Sequence, residues 1–478
     1  MVKLRLIFYS LFLLPLFAGA QLCTGSLGDP VVNITFGNGR GLLSNGVPGY
    51  IYASGTCPND GYYIITTSTS GCFGGSWHTV NSDHTGGGAF LLVNASNNPG
   101  DFLVTTVAGL CPNTTYEFSS WVMNVLNRSG GGIMPNITFK VETTGGLVLG
   151  SYNSGDIPQT AAPVWNQYGF YFTTTTSSTE LVIRMTNNAP GGIGNDLAID
   201  DITFRPCGPS LNSFITGNGG SNNIDICANE QQPYDFDAVL SPGFVNPVLQ
   251  WQVSTDSGNV WTDIPGQNSL QFHRVPGAAG VFWYRLTVAE AGGIGISNCR
   301  IASNVLKLFI HAKPVVNAGS DRIVIKGTGV KLNASVTGED PVYSWSPPDY
   351  LSSDTLLNPL ATPPFDMTYR LSAVSSFGCP NEDFVTLKVV AGIFVPTAFT
   401  PNNDGKNDSW HIPYLDPELG ADVKVFNRYG QLVYHVKGSV VNWDGTVAGV
   451  QQQAGTYVYL IKFKGAMPDM KGTVTLIR

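Results

Sequence analysis

Apolar and polar positions alternate with a period of two over short stretches along most of the chain. Runs rich in Val, Ile, Thr, Tyr and Phe, such as 137-ITFKVET-143, 181-LVIRMT-186 and 456-TYVYLIKF-463, are bounded by Gly, Asn and Pro. That pattern predicts half-buried strands separated by tight turns. Nowhere does an apolar period of 3.6 residues persist with a cap at each end, so helices are not expected. A chain of 478 residues with 56 Gly and 30 Pro exceeds one ordinary core. The expected fold class is all-β, a multidomain string of β-sandwiches.

Shifts in composition divide the chain. Residues 1–20, MVKLRLIFYSLFLLPLFAGA, place Lys3 and Arg5 before a short apolar run that closes on Ala18-Gly19-Ala20, the layout of a secretory signal peptide cut before Gln21. Ala20-Gln21-Leu22 does not supply the small residue wanted before a lipidated Cys23, and no later run is long enough for a membrane-spanning helix. Segment one, 21–209, carries five of the eight cysteines and ends at 206-PCGP-209. The Ser/Asn/Gly-rich stretch 210–223 reads as a linker. Three further modules follow at 224–312, 313–391 and 393–478. Trp251, followed by the Tyr284 strand, is the pattern of a sandwich whose buried indole faces the opposite sheet.

Net charge is -8, with no basic cluster joined to a nucleic-acid motif, so nucleic acid is not an expected partner. Export puts the cysteines in an oxidising compartment and no CxxC pair is present, so disulfides are expected rather than a metal or redox centre. Cys57 with Cys72 is the simplest local bridge. Cys379 finds no partner inside its own module.

Several resemblances add to this reading. The segment 224–312 resembles the immunoglobulin-like repeats of exported bacterial surface proteins, which implies a Cys227–Cys299 bridge clamping one end of the sandwich. Residues 313–391, through 343-YSWSPPDYLSS-353, resemble the PKD-type repeat with its Tyr-x-Trp core strand. The two together imply a stalk of hinged modules. The last segment resembles the gliding-motility-associated C-terminal domain of Bacteroidetes, the type B sorting signal of type IX secretion. It carries 394-FVPTAFTPNNDGKND-408, 423-VKVFNRYGQLVY-434, 442-NWDG-445, 454-AGTYVY-459 and 473-TVTLIR-478 in the family's order. This resemblance implies Sec-dependent entry to the periplasm, recognition by the type IX secretion machinery, and a final place outside the cell or on its outer surface. The charges of 393–478 nearly cancel, six Lys and two Arg against six Asp and one Glu.

The N-terminal segment, through 76-SWHTVNSDHTGGGAF-90 and 194-GNDLAIDDITFRPC-207, resembles MAM-like and carbohydrate-binding jelly rolls. That resemblance suggests pairing Cys111 with Cys207, leaving Cys23 and Cys379 unassigned. It also implies a structural Ca2+, with Asp83, Asp200 and Asp201 as candidate ligands. In a regular strand Asp200 and Asp201 point to opposite faces, so one at most faces a given ion; the alternative is that these acids cap loops or pair with Arg205. In the C-terminal loop, Asn402, Asp404 and Asp408 around Gly405 read either as the first half of a calcium loop or as an ion-free Asx-turn.

Among the aromatic residues of segment one, Tyr62, Tyr63, Trp77, Trp121, Trp165 and Tyr168, the reading makes Trp121 a core residue. Trp77, set among glycines, becomes the exposed candidate for stacking on a sugar. Ser76, His78, Asp83 and His84 cluster in sequence, but HExxH, GxSxG and P-loop motifs are absent. The functional expectation is a non-enzymatic, adhesin-like surface or secreted protein whose partners are glycans or surface proteins. A polysaccharide-capturing protein is the alternative, and a hydrolase using His78 a third.

Overall fold

A computed structural model describes residues 22–478 except 40–46, 129–130, 177–179, 231–232, 414, 416–419 and 465–466; the expected signal peptide lies outside the described residues. Among these residues the regular structure is strand, with two short 3-10 turns and no α-helix. The chain divides into two compact units. The first holds residues up to Ile224 with Gln231–Pro276 and Gly280–Phe309; the second holds Asp225–Glu230, Gly277–Ala279 and Ile310–Arg478.

The first unit begins with a two-sheet sandwich. Its larger sheet runs in the order Asn166–Thr173, Thr115–Asn124, Asp196–Gly208, Phe90–Asn94, Tyr62–Thr66, Ile51–Tyr52, and the strands Ser26–Leu27 and Val32–Ile34 also pair with Asp196–Gly208. The smaller sheet runs Gly100–Ala108, Glu180–Asn187, Asn136–Thr143, Val148–Asp156. The period-two pattern explains how they meet. Phe118, Val122, Phe170, Phe204, Phe139 and Ile183 lie on the inward faces and form one apolar core, the alternation expected when two sheets pack face to face.

The strand Phe90–Asn94 is buried at all five positions. Leu91 and Val93 join the main core, while Phe90 and Leu92 pack on the far face beneath Cys72, Trp77 and Val80. The glycine-rich stretch around residues 68–80 is therefore a cover for the sheet, pinned by the Cys57–Cys72 bridge. This corrects the placement of Trp77 on the surface. The ring is 3% exposed, because a sheet with a second apolar face must bury that face too.

A second sandwich, formed by the segment whose sequence resembles immunoglobulin-like repeats, continues in the same unit. Trp251 is fully buried and packs against Phe236 and Phe272, with Tyr284 stacked on Phe236 at 5.0 Å between centroids. The stretch 210–223 is not a free linker. Leu211–Ile215 is a strand paired with Tyr234–Leu240, because Leu211, Ser213 and Ile215 alternate inward.

Two predicted bridges are wrong. Cys111 bonds Cys299 rather than Cys207, and Cys23 takes Cys207. The reason is the N-terminal segment, which runs back along the last jelly-roll strand through the Ser26–Gly208 and Leu27–Cys207 pairs. Cys111, in the connection between Gly100–Ala108 and Thr115–Asn124, instead bonds Cys299 of the following module. That joint carries further contacts. Arg285 holds Asp29 through both guanidinium nitrogens and lies 4.2 Å from the centre of the Trp261 ring, and Asn298 donates to Gly109 O at 3.0 Å. Gly28 passes so close to Arg300 that a Cβ would stand 2.0 Å from its carbonyl oxygen, which leaves glycine as the residue that fits.

In the second unit Cys227 bonds Cys379, not Cys299, so the cysteine without a partner in its own module finds one in a preceding strand. The module at 313–391 is centred on Trp345, whose indole donates to Leu356 O and Leu357 O. The C-terminal sandwich has a five-stranded sheet in the order Ala398–Phe399, Met470–Leu476, Gly455–Lys462, Asp422–Phe426, Leu432–Lys437. Its core gathers Trp410, Trp443, Val423, Val425, Tyr457 and Ile461.

Candidate functional sites

The acidic residues of the jelly roll meet at one loop. Asp201 has φ 47°, and the pairing register shifts between Asp200 and Thr203. This bulge breaks the alternation that would have sent the two carboxylates to opposite faces. Both instead reach the turn at 83–85: Asp200 Oδ2 accepts from His84 N at 3.1 Å, and Asp201 Oδ2 lies 2.8 Å from His84 Nδ1. The His84 ring stacks on Trp121 at 3.8 Å, so Trp121 is a half-buried platform covered by histidine rather than a core residue.

Asp83 folds back on its own loop, accepting from Gly86 N and Gly87 N at 2.6 and 2.7 Å and from the Thr85 hydroxyl at 2.9 Å. Burial alone would raise its carboxyl, but the donated bonds outweigh burial and hold it below the usual range. Asp200 goes the other way. Burial, helped by the charges of Asp201 and Asp83, pushes it up to about 7 against the bonds from Asp201 N and His84 N. Gly88 completes the turn: a Cβ there would lie 2.6 Å from Asp83 Oδ2 and 3.0 Å from Gly37 O. Among the described residues no group of three or more His, Cys, Asp or Glu side chains is arranged to hold a metal ion.

A second acid escaped the sequence reading. Asp196 is 4% exposed and accepts from Trp77 Nε1 at 3.0 Å. Its other oxygen has no hydrogen-bond partner, and burial pushes its pKa up to about 8. The signal was available in the pattern, since Asp196 opens the apolar strand 196-DLAIDDI-202, but only the fold shows that Trp77 reaches it.

The cluster Ser76, His78, Asp83, His84 does not assemble as a relay. His78 is buried, which lowers its pKa, and its Nε2 lies 3.3 Å from the Thr160 hydroxyl. Asp83 is committed to its turn and His84 to Asp201.

A cleft in the first unit lies elsewhere. It encloses about 1100 Å³ and is lined in part by Thr24, Thr114, Tyr171, Phe244, Glu290 and Ile296. The Cys23–Cys207 and Cys111–Cys299 bridges form part of its wall. Tyr171 is 53% exposed. Glu290 is the one ionisable carboxylate of the lining, and it is already engaged by Val245 N and Asn246 N at 2.7 and 2.9 Å.

In the C-terminal loop Asp408 Oδ1 accepts from Asn402 N and Asn403 N, Asp408 Oδ2 from Gly405 N, and Asp404 Oδ1 from Lys406 N, all between 2.6 and 3.0 Å. Asn402 Oδ1 accepts from Asp404 N at 3.2 Å. The Asn402 and Asp404 bonds reach two residues forward, as in Asx-turns, while Asp408 reaches back to gather three backbone N–H groups of the loop.

Comparison with known proteins bears on this last module. Residues 393–476 match the family model described as CHU_C Type IX secretion signal domain. The C-terminal sandwich is thus a type IX sorting domain, and the chain is a string of β-sandwiches carrying that domain at its C-terminal side. The match implies export through the type IX system, contact with its machinery and delivery to the cell surface or the extracellular space. No curated protein matches the chain.

Solved structures of low similarity include the CBM22-1 xylan-binding domain from Paenibacillus barcinonensis Xyn10C, at 12% identity over 38% of this chain and 97% of that one with a TM-score of 0.23. The EclA C-terminal domain, described as a sugar-binding protein, matches at 17% identity over 23% and 80% with a TM-score of 0.18. Drosophila N-cadherin EC1-4 matches at 8% identity over 71% and 91% with a TM-score of 0.16. Scores this low give no ground for carrying fold or ligand across.

Proposed function

We propose that the chain is a non-enzymatic, adhesin-like binding protein presented outside the cell, with its ligand site in the first unit. The observation that carries this reading is the cleft of about 1100 Å³ with two disulfides in its wall. Ligand sites favour the junctions between modules, and a preformed wall reduces the entropy lost on binding. The exposed ring of Tyr171, in a lining whose single charged side chain, Glu290, is held by two backbone N–H groups, favours a neutral glycan over a charged ligand, since aromatic faces pack on the C–H faces of sugars.

The whole exported chain, applied to a glycan array, is expected to bind a restricted set of neutral oligosaccharides, and Tyr171→Ala to weaken that binding about tenfold or more. An empty array would turn the reading toward protein partners. Turnover of any arrayed glycan that is lost in His78→Ala would favour a hydrolase instead.

A calcium ion is part of the same proposal. Asp83 and Asp200 carry carboxylate oxygens of the type calcium takes, and a cation beside them would offset the charge that Asp201 and Asp83 exert on Asp200. Calcium is expected to raise the melting temperature by a few degrees, and Asp200→Asn to remove that response.

A further inference from the structure

We propose that the outward face of the five-stranded sheet in the sorting domain is the surface by which the export machinery reads it, and that the partner presents an acidic face with an apolar groove. This rests on the type IX reading of residues 393–476. The register of the sheet places three rows of side chains on that face. Leu432, Phe426, Val458 and Thr473 stand side by side across four strands. The next row is His435, Lys424, Leu460 and Lys471, and the third is Lys437, Asp422 and Lys462. Their neighbours in sequence, Val423, Val425, Tyr457, Tyr459, Ile461 and Val474, point the other way into the core.

The face is unusual in sign and in greasiness. Four of the six lysines of residues 393–478 stand in these rows, and Asp422 is the single acid, held 2.8 Å from His435 Nε2 and 4.0 Å from Lys437 Nζ. The chain as a whole is -8. A sheet face that meets only water ordinarily mixes both signs. Beside the lysines, Leu432 and Val458 are each 48% exposed, and Tyr429 at the tip of the adjoining hairpin is 76% exposed. An apolar ridge bordered by like charges suits a protein partner: the ridge supplies the area removed from water, while the charges steer encounter and set register. A membrane is the poorer fit, because the ridge is a single flat row, whereas interfacial binding sinks an apolar surface roughly 5–10 Å into the lipid.

The test uses the full chain in a bacterium with a working type IX system. The variant Lys424→Glu/Lys462→Glu/Lys471→Glu is expected to accumulate in the periplasm, with export reduced about tenfold or more, while the same three positions changed to Arg are exported as the parent. A Lys→Gln series at these positions serves if the Glu variant melts early. Parental export of a Glu or Gln variant that melts normally overturns the proposal. So does a defect explained by lost binding to phosphatidylglycerol vesicles, which would make lipid the partner. A chain lacking 393–478 is the control: if it too is exported, the sorting reading itself fails, which is a different outcome from failure of the face alone.

Discussion

At the scale of single residues, the buried acid Asp196 makes the sharpest prediction. Its folded pKa, raised to about 8 by burial, lies above the ordinary 3.8, so the folded state holds a proton that the unfolded chain releases. Its contribution to stability is therefore complete below about pH 3.8 and is lost as pH rises through about 8. Asp196→Asn keeps an oxygen for the Trp77 indole and removes the titration. We expect the variant to melt like the parent near pH 4 and a few degrees higher at pH 8.5, read by calorimetry. Trp77 shows how far one residue could be read in advance. Glycines and a nearby histidine suggested exposure, but the neighbours in sequence carry no information about the second apolar face of the sheet that the ring covers. Trp77→Ala should cost about 3–5 kcal/mol in chemical denaturation, with any glycan binding retained by the fraction still folded.

At the scale of elements, the loop 399–408 and the strand Asp196–Gly208 teach opposite lessons. Loop chemistry was legible: an Asn/Asp/Gly run makes Asx-turns by contacts two residues away, as Asn402 and Asp404 do, and Asp408 closes the loop with three bonds from donors three to six residues back. Asp408→Ala should destabilise the sorting domain by about 1–3 kcal/mol, seen as an earlier melting step. Asp408→Asn, which keeps an acceptor, should recover part of that loss. The bulge at Asp201 was not legible. Two adjacent acids in a strand are expected on opposite faces, and only a residue at φ 47° lets both carboxylates reach His84. Such a bulge is set by the partner strand and by the loop it must meet, neither of which lies near it in sequence.

At the scale of the molecule, the two wrong bridges changed the architecture. Pairing by module made every joint a hinge, whereas Cys111–Cys299 spans 188 residues and ties the jelly roll to the immunoglobulin-like sandwich. Removing it with Cys111→Ser/Cys299→Ser should cost about 2–5 kcal/mol. Calorimetry should then show the single transition of the first unit separating into two, and the Tyr171 cleft should lose affinity because its wall is no longer held. Retention of one transition would show that Arg285, Asp29 and Asn298 suffice.

The sequence alone determined what local pattern can determine: an all-β chain, several cores, the Trp-centred sandwiches, a bonded Cys57–Cys72 pair and the sorting domain with its turn. The sorting domain follows from its resemblance to a family, and the others depend on alternation or on residues near one another in the chain. Tertiary structure alone decided which cysteines meet across the chain, that Trp77 faces inward onto Asp196, that Asp200 and Asp201 share a loop, and that four lysines line up on one sheet face. These depend on register and on chain crossings, which bring together residues tens to hundreds of positions apart. Strand alternation is the same for many possible partners, and burial of both sheet faces selects one.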